Sequence, residues 1–330
     1  MPEILSVLLN VLFLVLGMAL LIKGADFFVD GSSRVAKALK IPALIIGLTL
    51  VSIGTSLPEL AVSLTSSLKG ANDLSFGNVV GSNIFNVLVV IGASALFTPM
   101  IVSKSVYKYD VPVLIGIYAV VILFGFVISP LIFATWESII ILVLFVAYMA
   151  FLVLRAKHEK DEVVEEEVKE EKPRKMWLNI VFIILGCAAI IFGGEFVVTT
   201  ASTLAKKLGM SELLISLTIV SVGTSLPELV TSMVAAKKGE NDIAVGNAIG
   251  SCIFNILLIL GLSSTVSPIS IQAISIIDNL VMAFSVILIV FFALKARKIT
   301  RTHGIIMVGV YAIYLAYIVL RNIYPEVFAF

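Results

Sequence analysis

The heptapeptide Gly54-Thr55-Ser56-Leu57-Pro58-Glu59-Leu60 returns unchanged as Gly223-Thr224-Ser225-Leu226-Pro227-Glu228-Leu229, and each copy is embedded in a long apolar run. An ionised glutamate near a bilayer centre costs roughly 2.5–3.5 kcal/mol on insertion scales. Something must offset that cost at both copies, and a bound cation is the simplest candidate. Pro58 has no N–H, so the carbonyl of Gly54 loses its helical partner, and the Thr55 carbonyl lies in the same loosened turn. Within lipid such carbonyls are tolerated only where they line a polar cavity. Ser52, Thr55, Ser56 and Glu59 follow i, i+3, i+4, i+7 spacing and predict one polar helix face. Ser221, Thr224, Ser225 and Glu228 repeat it. Hydroxyls, freed carbonyls and a carboxylate are hard oxygen donors, suited to Ca²⁺ or Na⁺ rather than to soft metals. The plainer alternative for the hydroxyls is bonding back to their own helix.

The chain has 330 residues, 60% hydrophobic and 14% charged, where a soluble protein is about half apolar and a quarter charged. This composition predicts an all-α polytopic membrane protein. Net charge is +1, and no basic patch with interleaved aromatics suggests nucleic acid. Cys187 and Cys252 lie in apolar segments and do not form a disulfide framework. No nucleophile or metal–histidine constellation supports an enzyme, including an intramembrane hydrolase built on the paired carboxylates, and no cofactor is expected. The first apolar stretch has no basic flank before it and is long enough to span rather than to serve as a cleaved signal.

Runs long enough to cross a bilayer fall near 4–23, 42–68, 75–97, 108–128, 135–155, 176–199, 211–236, 243–266, 273–295 and 303–321, about ten helices. With both termini outside, nineteen of the 23 basic residues fall in inside connections, as the positive-inside rule requires. Lys69, Lys206, Lys207 and Arg321 are the exceptions. Residues 1–156 form a first five-helix half and 176–330 a second. The segment 157–175, rich in Glu and Lys, reads as a solvated cytoplasmic linker.

The duplication extends beyond the heptapeptide. An offset of 169 aligns 47–99 with 216–268 without a gap, including Gly77-Asn78 with Gly246-Asn247, Gly81-Ser82 with Gly250-Ser251, and Asn86 with Asn255. Five helices separate the copies, so the second enters the membrane inverted, the plan of secondary transporters with a midplane site. Asn78, Ser82 and Asn86 share a helix face, as do Asn247, Ser251 and Asn255. The small-xxx-small spacing of Gly77–Gly81 and Gly246–Gly250 allows close helix approach. Asp73, Asp242 and Glu137 read as first-turn acids. Asp26 and Glu195 occupy matching positions near the ends of the first and sixth helices.

Gly-Thr-Ser-Leu-Pro-Glu followed by Gly-Asn-x-x-Gly-Ser-x-Ile-x-Asn, twice, resembles the alpha-repeats of the cation/calcium exchanger superfamily, in its sodium/calcium exchanger branch and compact microbial form. The resemblance implies a cation site between the second, third, seventh and eighth of ten helices. Glu59 and Glu228 would be the central carboxylates, with carbonyl and hydroxyl oxygens from Thr55 and Thr224. Ser56, Ser225, Ser82 and Ser251 would serve flanking sodium positions near the backbones of Ser52 and Ser221, and Asn86 and Asn255 would line the centre. The first and sixth helices would slide across this core. Some relatives, potassium-dependent exchangers among them, carry Asp where this chain has Asn255, which argues against potassium cotransport. Proton/calcium exchangers usually place a glutamate near Gly81-Ser82 or Gly250-Ser251, and none is present. The expected function is secondary active exchange of Na⁺ for Ca²⁺ by alternating access, in a plasma membrane, with no obligate protein partner. Proton/calcium antiport and a passive cation channel remain as alternatives.

Overall fold

In lipid a backbone must satisfy its own hydrogen bonds, so long apolar runs become helices. The computed structural model describes residues 3–70, 72–159, 174–210, 219 and 221–327, and these are helical almost throughout. α1 (Glu3–Leu39) leads to α2 (Ala43–Thr55) and α3 (Leu57–Leu68), which meet at a 50° bend. α4 begins at Asn72–Phe85 and continues through a π-helical stretch, Asn86–Ile91, into Gly92–Phe97. Then come β1 (Met100–Ile101), α5 (Val106–Ile128), β2 (Ile132–Phe133) and α6 (Thr135–Glu159). The second half has α7 (Met176–Lys207), α8 (Ser221–Gly223) and α9 (Leu226–Lys237). α10 runs Asn241–Phe254, then π-helical Asn255–Leu260, then Gly261–Val266. β3 (Ile269–Ser270), α11 (Ser275–Ala296), β4 (Lys298–Ile299) and α12 (Arg301–Ile323) follow.

Among the described residues eight helices are long and apolar enough to cross a membrane, or nine with the bent pair α2–α3 counted as one span. The span expected at 211–236 lies partly outside the described residues, as does most of the linker 157–175. α1 and α7 run well past the expected ends near 23 and 199. The charges in the second half of α1 look like a loop in sequence, but they are paired. Arg34 bonds Asp30 at 3.0 Å, Arg174 reaches Asp30 at 2.6 Å, and Lys238 meets Asp26 at 2.7 Å. An i, i+4 ion pair supports a helix rather than ending it. Ser33 also donates to Glu240 at 2.6 Å, tying α1 to the turn between α9 and α10.

α1 and α7 pack along a seam of glycines. Gly17 faces Gly193, and Gly24 faces Gly186. A Cβ on Gly186 would stand 2.6 Å from the Phe28 nitrogen, and one on Gly193 2.7 Å from the Leu21 nitrogen. The two contacts are related by the same offset of 169, since 17 maps to 186 and 24 to 193.

α4 and α10 form the centre. In their apolar windows 78% and 94% of residues are buried, against 17% for α1 and α12. Ile84 and Leu88 of α4 and Leu257 and Leu260 of α10 share the buried core with Leu48 and Val51 of α2. α2 crosses α10 closely at Gly47, Gly246 and Gly250; a Cβ on Gly250 would meet Leu48 Cα at 2.8 Å. The Gly246–Gly250 spacing thus does what its sequence suggests. The positions that the offset makes the partners of Gly77 and Gly81 lie mostly at 213–219, almost all outside the described residues.

Two antiparallel ribbons join the halves: β1 with β4, Met100 opposite Ile299, and β2 with β3, Ile132 opposite Ser270. Each half is also clamped by an ion pair, Asp110–Arg155 at 2.8 Å and Asp278–Arg321 at 3.0 Å. Glu137 Oε2 accepts from the Ala134 N–H at 2.8 Å, the first-turn role its position suggests.

Candidate cation site

Both heptapeptides break their helices at the same point. Ser56 (φ −85°, ψ 8°) and Ser225 (φ −91°, ψ 7°) leave helical geometry, and the next helix restarts with proline in its first turn. That turn needs no N–H donor, which is why proline is tolerated there. The break puts Glu59 and Glu228 in the first turns of α3 and α9, near helix N-termini that favour negative charge. The Gly54 carbonyl accepts from Cys187 Sγ of α7 at 3.6 Å.

Glu59 and Glu228 are fully buried. Each is held by a serine of the other half. Ser225 Oγ donates to Glu59 Oε1 at 2.9 Å, and Ser56 Oγ donates to Glu228 Oε1 at 2.9 Å. Ser251 Oγ lies 3.5 Å from the same Glu228 oxygen, and Ser225 Oγ lies 3.1 Å from Ser82 Oγ. Among the described residues the second oxygen of each carboxylate has no hydrogen-bond partner, nor do the Thr224 hydroxyl, Asn255 Oδ1, or either polar atom of the Asn86 amide. Buried polar atoms are normally bonded. An assembly of unpaired oxygens around two carboxylates has the donor chemistry that a hard cation takes.

Asn78 and Asn247 brace the site from behind. Asn78 Nδ2 donates to the Glu59 carbonyl at 3.3 Å and to Ser63 Oγ at 2.8 Å. Asn247 Nδ2 donates to the Glu228 carbonyl at 3.3 Å and to Ser232 Oγ at 2.9 Å. Thr55 Oγ1 donates to Asn247 Oδ1 at 3.0 Å, again across the halves.

The hydroxyl of Ser52 is not on the site. It bonds back to the Leu48 carbonyl at 2.9 Å, and the Ser52 carbonyl accepts from the Ser56 N–H at 3.0 Å. The Ser221 side chain lies outside the described residues. Of the remaining expected residues, Glu59, Ser225 and Ser82 form one hydrogen-bonded group and Glu228, Ser56 and Ser251 a second, which Thr55 joins through Asn247. Sequence reasoning passed over Asn83, whose amide bonds Asn255 at 3.1 Å. Among the described residues no three His, Cys, Asp or Glu side chains gather as a resident metal centre.

A bundle of membrane-length helices around two buried, hydroxyl-supported carboxylates defines a polytopic membrane transporter rather than an enzyme. The sequence profile of the family described as sodium/calcium exchanger protein matches residues 9–154 and 178–320, and the chain belongs to that family. It is 33% identical to the sodium/calcium exchanger MaX1 of Methanosarcina acetivorans, over 93% of this chain and 97% of that protein. It is 38% identical to the putative antiporter CaxA of Alkalimonas amylolytica, over 91% and 95%. A structure of the sodium-calcium exchanger NCX_Mj soaked with Na⁺ and Ca²⁺ superposes with a TM-score of 0.79 at 32% identity, covering 93% of this chain and 98% of that one.

Proposed function

We propose that this protein exchanges Na⁺ for Ca²⁺ across a plasma membrane by alternating access, independently of K⁺. The single observation that carries this is the pair of fully buried carboxylates, each with one oxygen bonded by a serine of the opposite half and one left unpaired. Four carboxylate oxygens and the carbonyls of Thr55 and Thr224 make about six ligands, within the range Ca²⁺ takes. Na⁺ ions spread over the same carboxylates and the hydroxyls of Ser56, Ser82, Ser225 and Ser251, so the two cargoes exclude one another. Neutralising the double negative charge lets the loaded site cross an apolar barrier that the empty site cannot cross cheaply. Asn255, an amide, adds no third charge and leaves no demand for K⁺.

The proposal includes ten transmembrane helices in two inverted halves, 1–156 and 176–330, a cytoplasmic linker at 157–175, both termini outside and a midplane site. The hydrogen bonds and glycine contacts that recur at the offset of 169 support it.

Radioactive calcium uptake into proteoliposomes tests the reading, with vesicles loaded with sodium, potassium or choline and with an imposed pH gradient. Uptake is expected only with internal sodium. Uptake driven by the pH gradient alone moves the protein to proton coupling, and uptake indifferent to both makes it a channel. Glu59→Gln and Glu228→Gln are expected to abolish uptake while the protein still elutes as a folded species; normal flux in either sinks the assignment.

A further inference from the structure

Between Gly77–Asn86 and Gly246–Asn255 the halves differ at only one polar position, Asn83 against Cys252. These two residues meet. Asn83 Nδ2 donates to the Cys252 carbonyl at 3.2 Å, and Cys252 Sγ donates to the Asn83 carbonyl at 3.7 Å. A carbonyl only accepts, so it decides which end of the Asn83 amide faces it. The Asn83 oxygen must then point the other way, where it accepts from Asn255 Nδ2 at 3.1 Å. The same logic passes to Asn255: its nitrogen is committed to Asn83, so its oxygen is turned away. That Oδ1 is buried without a protein partner. Asn255 stands one turn beyond Ser251, which approaches Glu228.

The other half lacks this chain of constraints. Asn86 is the counterpart of Asn255, but its supporting position is held by Cys252, which has no amide. Both polar atoms of Asn86 are buried and unpaired.

We propose that Asn83 is a positioning residue for cation binding, holding the Asn255 amide with its oxygen toward the carboxylates while the Asn86 amide stays free to turn. The inference rests on the ion-exchange reading of the same centre. An amide presented oxygen-first is a ligand for Ca²⁺ or Na⁺. Turned over, it aims an NH₂ group at the cation and repels it. Asn255 is therefore a fixed ligand. Asn86 offers oxygen to a cation or N–H to a carboxylate when the cation has gone.

The test is the KM for calcium in sodium-loaded proteoliposomes for Asn83→Cys, which gives the first half the residue of the second, and for Asn83→Ser. Each is made in the native and in the Asn255→Asp background and checked for monodisperse elution. In the native background KM is expected to rise about tenfold, equivalent to ~1.4 kcal/mol, with the maximal rate within about twofold. In the Asn255→Asp background both carboxylate oxygens are alike, no wrong way round exists, and neither Asn83 substitution raises KM. An unchanged KM in the native background overturns the proposal, and so does an equal rise in both backgrounds, which would mark a merely structural role. The same proteins are titrated with calcium in detergent, with thermal stabilisation as readout. Wild-type protein that binds calcium without sodium-driven uptake sinks the exchange reading alone. If it binds none, both fall.

Discussion

Ser225 and Ser56 make matching hydrogen bonds, yet their removal is expected to have unequal effects. Among the described residues Ser225 is the one hydroxyl placed to donate to Glu59 in good geometry, at 2.9 Å. Glu228 has two hydroxyls within reach, Ser56 at 2.9 Å and Ser251 at 3.5 Å. Both carboxylates are fully buried, so neither can call on water. A hydrogen bond to a charged group contributes about 1.5–3 kcal/mol. Ser225→Ala is expected to lose that amount in the cation-free protein. Ser56→Ala is expected to lose about 1 kcal/mol or less, because Ser251 moves up to take its place. The assay is thermal unfolding in detergent, with chelator and without sodium, comparing both variants with the wild type. Calcium should then narrow the gap between the variants, because a cation that binds the folded protein substitutes for the missing donor. Equal losses, a larger loss for Ser56→Ala, or a gap that widens with calcium would refute this account of how the two carboxylates are held.

Further outcomes follow from packing and charge. Gly186→Ala puts a Cβ 2.6 Å from the Phe28 nitrogen and 2.8 Å from the Gly24 oxygen, backbone atoms that cannot step aside; over-packing of this kind costs about 1–3 kcal/mol, read as a lower Tm and slower uptake. Arg155→Met strips the guanidinium from Asp110, which is fully buried, and should cost about 3–5 kcal/mol. Adding Asp110→Asn should recover much of that loss. Arg321→Met should cost less, because its pair with Asp278 is partly exposed.

Much of the site was legible before any coordinates. The repeated motif located both carboxylates, the helix breaks and the polar rows of the two central helices, because a buried acid next to a proline has few purposes in an apolar chain. What sequence periodicity could not reach was contact between the halves. The spacing that groups Ser56 with Glu59 describes a single continuous helix, but the chain breaks at Ser56 and its hydroxyl turns to Glu228 instead. Ser52 sat on the same apparent face, and its hydroxyl is spent on its own helix. The length of α1 was hidden for a different reason: Asp26, Asp30 and Arg34 look like the end of a span until their partners on distant segments are known. Asn83 was overlooked because it lies beside the polar row rather than on it. Its signal was the mismatch with Cys252 under the offset.

The glycine seam between α1 and α7 has a mechanical meaning. The contacts Gly17–Gly193 and Gly24–Gly186 are notches set seven residues apart, about 10 Å along a helix. A slip of one helix along the other by less than that distance would drive a side chain into a notch that admits none. The two helices are therefore keyed together as one beam, although they come from opposite halves of the chain. A push along the axis at one end of this beam is therefore carried to the other, and neither helix shifts lengthwise without its partner.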